Sequence, residues 1–143
     1  MEDRIFGNLV FDKGWTKKEK LDLWGKEVDV KIIISAYEDE APNEAQQDAY
    51  IRLKKDLKSI SKITLKKLKQ YMEESKDDIL LYAEVNELPE NVFELVSISE
   101  ILFVESGSFG IMCDAKWDSH GIAVLCKETE VLVGTQDIVW LEG

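Results

Sequence analysis

Glu27-Val28-Asp29-Val30-Lys31-Ile32-Ile33-Ile34-Ser35-Ala36-Tyr37 places Val28, Val30, Ile32, Ile34 and Ala36 on one side, with mostly polar residues between them. A period of two over that length is a strand with one buried face. Just upstream, Leu21 and Leu23 alternate with Lys20 and Asp22, and Trp24-Gly25-Lys26-Glu27 offers glycine at the first central position of a two-residue type II′ turn. That turn pairs Leu23 with Val28 and Leu21 with Val30, so both pairs fall on the same face, as a sheet with one buried side requires. A further strand, about Ile5 to Phe11, precedes it across the turn Asp12-Lys13-Gly14-Trp15. The chain is thus expected to open as a three-stranded antiparallel meander.

From about Pro42 to Ser75 the period becomes helical. Ala45, Ala49, Leu53, Leu57 and Ile60 follow steps of four and three, Pro42 suits a first helical turn, and Leu65, Leu68 and Met72 continue the pattern. Ser59-Ile60-Ser61-Lys62 is a candidate break, because serine there competes for backbone hydrogen bonds. The segment therefore reads as one or two helices. Between Arg52 and Lys69 lie eight basic residues and one acid, Asp56, a pattern that fits a solvated outer face or a basic docking surface. Residues 79–96 give no single reading, and Ser97 to Val104 looks extended.

The closing third is again β-like. Ile111, Cys113, Ala115 and Trp117 alternate with Met112, Asp114 and Lys116, while Ile122, Val124 and Cys126 continue the apolar side beyond Asp118-Ser119-His120-Gly121. A turn centred between Ser119 and His120 sets Trp117 against Ile122, Ala115 against Val124 and Cys113 against Cys126. Glu130 to Val133 and Gln136 to Leu141 complete a second antiparallel meander. The fold class expected is α+β, with one sheet packed against the helices in a single domain spanning residues 1–143.

Composition bounds the function. With 143 residues, 45% of them hydrophobic, the chain can bury a core without disulfide or metal support. No run approaches the length of apolar residues that a membrane helix needs, and the charged start Met1-Glu2-Asp3-Arg4 is unlike a signal peptide, so the expected location is the cytoplasm. Cys113 and Cys126 lack the spacing of a zinc site and are read as reduced, buried thiols. The net charge of −11 is uneven: residues 1–76 carry 16 basic and 15 acidic side chains, whereas 77–143 carry only Lys116 and Lys127 against 14 acids. Such a half repels phosphate backbones and steers basic partners inward, which argues against nucleic acid as a ligand. Acidity also simply keeps a domain soluble.

Catalytic chemistry finds little to work with. His120 is the only histidine, and Asp118 is placed to orient it, but a nucleophile would have to come from Ser119, Cys113 or Cys126, and the cysteines fall on the inner face. The alternative is an ordinary turn, with Asp118 accepting backbone hydrogens. Gly107-Ser108-Phe109-Gly110 lacks the lysine of a phosphate-binding loop and precedes a strand. The expectation is a non-catalytic domain with no metal and no cofactor.

Phe6-Gly7-Asn8-Leu9, Gly14-Trp15, Gln46 with Ala49-Tyr50, Cys113-Asp114-Ala115-Lys116-Trp117-Asp118, His120-Gly121-Ile122-Ala123-Val124 and Val133-Gly134 with Gln136-Asp137 together resemble a bacterial family of small domains of unknown function. That family is thought to include immunity proteins of polymorphic toxin and contact-dependent inhibition systems. Relatives often carry an acid immediately before the histidine, where this chain has Ser119. The resemblance implies a protein that docks on a cognate toxin domain, here one with a basic surface, and occludes its active site. The carboxylates expected at that interface are Asp114, Asp118, Glu128, Glu130 and Asp137, with Trp117 and His120 as anchors. A small regulatory or scaffold domain, and an enzyme centred on Asp118 and His120, are the other readings.

Overall fold

The computed structural model describes residues 1–142. Its opening is a short ladder of β1 (Glu2–Asp3) with β2 (Gly7–Asn8), followed by the meander β3 (Val10–Phe11), β4 (Trp15–Leu23) and β5 (Lys26–Ile34). The strand expected from Ile5 to Phe11 is therefore broken in two. The break falls at Leu9, whose amide donates to Met1 O at 2.7 Å, while Asp3 accepts the Ile5 and Phe6 amides at 2.9 and 2.8 Å and so closes the turn between β1 and β2.

The β4–β5 hairpin forms where expected, in a different register. Leu21 faces Val28 and Leu23 faces Lys26, because the two central residues of the turn are Trp24 and Gly25, at φ 57° and 82°. Both are left-handed, which makes this a type I′ turn with glycine second. The shift is two residues, so the buried face is unchanged. A tryptophan at positive φ is strained, and tertiary bonds hold it: its amide donates to Ser61 Oγ at 2.7 Å and its indole to Thr64 Oγ1 at 2.9 Å.

Three helices follow: α1 (Glu44–Lys55), α2 (Leu57–Glu74) and α3 (Lys76–Tyr82). The break falls at Asp56, earlier than the serine pair, since Ser61 is already engaged in holding the Trp24 turn. Asn43 and Gln46 form a capping box at the start of α1. Gln46 is fully buried, and its amide donates to Ser35 O at 2.8 Å and Phe103 O at 3.2 Å.

Those two carbonyls lie where β5 meets β6 (Val96–Phe103), a parallel pair with Ile32 beside Ile101 and Ile34 beside Phe103. Parallel neighbours need a long crossover, and α1 to α3 with the loop carrying the one-turn helix Val92–Glu94 supply it. The second meander continues through β7 (Phe109–Ala115), β8 (Asp118–Cys126) and β9 (Val131–Thr135). The result is one seven-stranded mixed sheet of order β3-β4-β5-β6-β7-β8-β9 beside the small β1-β2 ladder. The fold is α+β, with the helices packed on one face, where Leu53 of α1 and Leu68 of α2 share a core with Phe6, Phe103 and Phe109.

The other face is covered in its centre by a fourth helix, α4 (Asp137–Trp140), where a strand was expected from Gln136 to Leu141. Leu102, Met112, Ala123 and Leu125 are buried beneath Val139. Gly110 explains the packing, for a Cβ there would lie 2.5 Å from a Val139 methyl. The bare backbone admits the helix.

The β7–β8 hairpin also departs from expectation. Its turn is Lys116-Trp117, closed by Ala115 opposite Asp118, and Ser119 and His120 lie within β8 at an irregularity relieved by Gly121 at φ 77°. Cys113 therefore faces Ile122 and Cys126 faces Phe109. The cysteines are buried and free, and they do not oppose each other.

Candidate functional site

One end of the sheet gathers acidic residues that are far apart in sequence. The amide of Lys116, in the β7–β8 turn, donates to Leu95 O at 2.9 Å, tying that turn to the loop leading from α3 into β6. Between them lies an open hollow of about 730 Å³ lined by Glu87, Glu90 and Glu94, with Lys116 the one cation in its wall. Asp114 stands exposed on β7 at the same end of the sheet, opposite Ser97, and does not line the hollow.

Asp118 accepts the His120 amide at 2.9 Å, and the two side chains approach to 3.7 Å. The imidazole is 90% exposed and the carboxylate 25%. Trp117 is half-buried, its ring packed on the margin of the core. Asp137 lies at the same end of the sheet: its carboxylate accepts from Thr135, which β9 sets opposite Ile122, and Gln136 donates to Cys113 O at 3.1 Å.

The structure thus brings Asp114, Trp117, Asp118, His120 and Asp137 to one end. Glu128 and Glu130 belong elsewhere, in the β8–β9 loop, separated from Asp118 by the nine residues of β8 or roughly 25 Å. There Lys127 lies 3.7 Å from Glu130 and 3.3 Å from Glu142, so the local charge is partly balanced. The loop borders a groove of about 690 Å³ whose opposite wall, on α1 and α2, carries Arg52 and Lys67.

Sequence pattern does not single out Glu87, Glu90 and Glu94. Their loop carries neither a two-residue nor a helical period, and the signal available was its charge alone: Glu84, Glu87, Glu90 and Glu94 with no intervening lysine or arginine.

The most perturbed carboxylate lies away from this end. Glu19 on β4 receives hydrogen bonds from Tyr50 and Lys54 of α1, and Lys17 approaches at 3.1 Å. Burial alone pushes its pKa upward, but the bonds from Lys54, Tyr50 and Lys17 outweigh that and hold it below the usual carboxylate value. Burial, reinforced by the adjacent Glu19 carboxylate, drives the Tyr50 hydroxyl well above the ordinary phenol range. Every member is satisfied within the fold, so the cluster braces helix against sheet. Burial also pushes the Cys113 and Cys126 thiols up to about 12, so neither offers a thiolate near neutrality. Among the described residues no group of metal-ligating side chains is assembled, and no helix is long and apolar enough to cross a membrane.

What the acidic end can do is present a negative field, with three glutamates around an open hollow and a half-buried tryptophan and an exposed imidazole on the neighbouring hairpin. A family model described as a domain of unknown function, DUF6985, matches residues 5–140. The chain belongs to that family. No curated protein and no solved structure matches it.

Proposed function

We propose that this DUF6985 member acts by binding another protein, and that its partner is a toxin domain with a basic active-site surface, which it occludes as an immunity protein. One observation carries the reading: Glu87, Glu90 and Glu94 of one loop line a single hollow with Lys116 as the one cation in its wall, and the hairpin that carries Lys116 adds Asp114 and Asp118 at the same end of the sheet. Concentrated charge of one sign speeds encounter with an oppositely charged surface and fixes the docking orientation. A toxin that handles phosphate needs a basic cleft, which the acidic end complements. Inhibition by occlusion requires a stoichiometric complex and no turnover, in the cytoplasm of the protected cell. Asp114, Asp118 and Asp137 supply charge, and Trp117 and His120 supply contact area.

The test is co-expression with the C-terminal toxin domain encoded upstream, scoring growth and complex formation at low and moderate salt. Rescue of growth with a complex weakened by salt supports the reading. Absence of both rescue and complex overturns it.

A further inference from the structure

The two edges of the large sheet are built differently. On one side β3 covers only Trp15 and Thr16 of β4, leaving an edge that carries Lys17, Lys18, Glu19, Lys20 and Asp22. Charges of that density discourage another strand from adding. On the other side β9 reads Val131-Leu132-Val133-Gly134-Thr135, with no charge. It pairs with β8 alone, and among the described residues no backbone hydrogen bond from Val131 to Thr135 reaches any other segment. Its side chains remain half-buried or exposed, Leu132 at 41%. Beside the edge runs the groove of about 690 Å³, into whose mouth Ile63 of α2 projects at 49% exposure.

We infer that β9 is a strand-acceptor: an extended segment of a partner protein, apolar at alternate positions and basic at its ends, adds to this edge and sets its apolar side chains over the Ile63 groove. Main-chain hydrogen bonds supply affinity in such an addition and the groove supplies selection. The charge at the strand ends identifies the occupant. Glu128 and Glu130 precede β9 and Asp137 follows it; Lys127 lies 3.7 Å from Glu130 and 3.3 Å from Glu142, which leaves Glu128 and Asp137 as the acids at the two ends without an ion pair among the described residues. A second copy of this chain is a poor fit, because antiparallel pairing centred on Val133 brings the loop before β9 in one copy, with Glu128 and Glu130, toward the start of α4 in the other, with Asp137, so that acids of the two copies meet at both ends. Basic flanks meet those acids favourably. For the sign of the partner's charge the inference shares the premise of the immunity reading; its location does not depend on it.

The test uses the full chain and a synthetic peptide of alternating Val and Thr flanked by paired lysines, alongside a twin N-methylated at alternate amides so that one backbone edge cannot donate. Amide exchange and chemical shifts of the protein are followed by NMR. Binding that protects backbone amides within Val131–Thr135 and weakens about tenfold or more with the methylated twin is the expected result, as for the loss of two or more hydrogen bonds. Equal binding of both peptides, shifts confined to the acidic hollow, or no binding each overturns the strand-acceptor. Protection of the same amides by the protein alone, rising with its concentration, overturns it in favour of self-pairing. Failure here leaves growth rescue untouched, and failure of growth rescue leaves this measurement valid, so the two readings fall separately.

Discussion

Tyr50 of α1 donates a hydrogen bond of 2.5 Å to the Glu19 carboxylate of β4, joining the helical layer to the sheet beside the charged edge. Lys54 shares the same carboxylate, and Lys17 reaches both Glu19 and Phe6 O, the latter at 2.7 Å. Because Glu19 is held below its ordinary value of 4.5, its charge stabilises the fold above that value, and the contribution is lost as pH falls through the lower folded-state value. Urea unfolding between pH 7 and pH 3 should show this acid limb, and Glu19→Gln should flatten it while costing on the order of 1–3 kcal/mol at neutral pH. An unchanged acid limb in the variant would place the sensitivity elsewhere.

Trp24 is the second bridge between layers, with its indole on Thr64. Trp24→Phe keeps most of the apolar contact with Phe93 and removes the donor. It should cost about 1 kcal/mol. Paired with Thr64→Val it should cost less than the sum of the single changes, since the two then share one lost bond. Strict additivity in chemical denaturation would mean that the bond contributes nothing.

Gly110 makes room for α4, whose Val139 methyls would lie 2.5 and 2.9 Å from an added Cβ. Gly110→Ala should therefore destabilise by about 1–3 kcal/mol through overpacking. Val139→Ala in the same chain should recover part of that loss. If the double variant is worse than Gly110→Ala alone, the clash is not the cause.

Cys113 and Cys126 are buried, with thiols raised to about 12. Alkylation in native buffer at pH 8 should therefore be far slower than in denaturant, tracking opening of the core. Mild oxidant should leave the native monomer without an internal bridge, because Cys113 faces Ile122 and Cys126 faces Phe109. Rapid native labelling, or a bridge detected by mass spectrometry, would contradict the hairpin register described here.

The α+β class, the opening hairpin and the helical middle were legible because Val28 to Ile34 and Ala45 to Met72 carry clear periods. The errors were of turn and register. Glycine at position 25 suggests the first central residue of a turn, yet Trp24 takes that place in a left-handed conformation because Ser61 and Thr64 hold it, and both are distant in sequence. Gly121 suggests the end of a turn and instead relieves an irregularity inside β8, which displaces the cysteine pairing. Residues 136–141 resemble a strand by composition, and only Gly110, on another strand, shows why a helix docks there. At the candidate site the hairpin residues were legible. The glutamates of the preceding loop were not, since their proximity depends on Lys116 meeting Leu95.

Glu90 and Glu94 test the acidic end without endangering the fold. Both are exposed, and neither carries an ion pair among the described residues, so reversing one should shift stability by no more than about 0.5 kcal/mol. The wall they belong to holds one lysine, and a reversal relieves local repulsion. If the partner is a basic toxin domain, Glu90→Lys and Glu94→Lys should slow association several-fold and flatten its salt dependence, because charges at the rim act on encounter more than on dissociation. Lys58→Glu on the basic outer face of α2 serves as the control for net charge, and should leave association unchanged or faster. Stopped-flow association at two ionic strengths separates the cases. Slower association in both glutamate variants, with unaltered unfolding curves, ties recognition to this end, whereas rates unchanged by either reversal would remove the hollow from the interface.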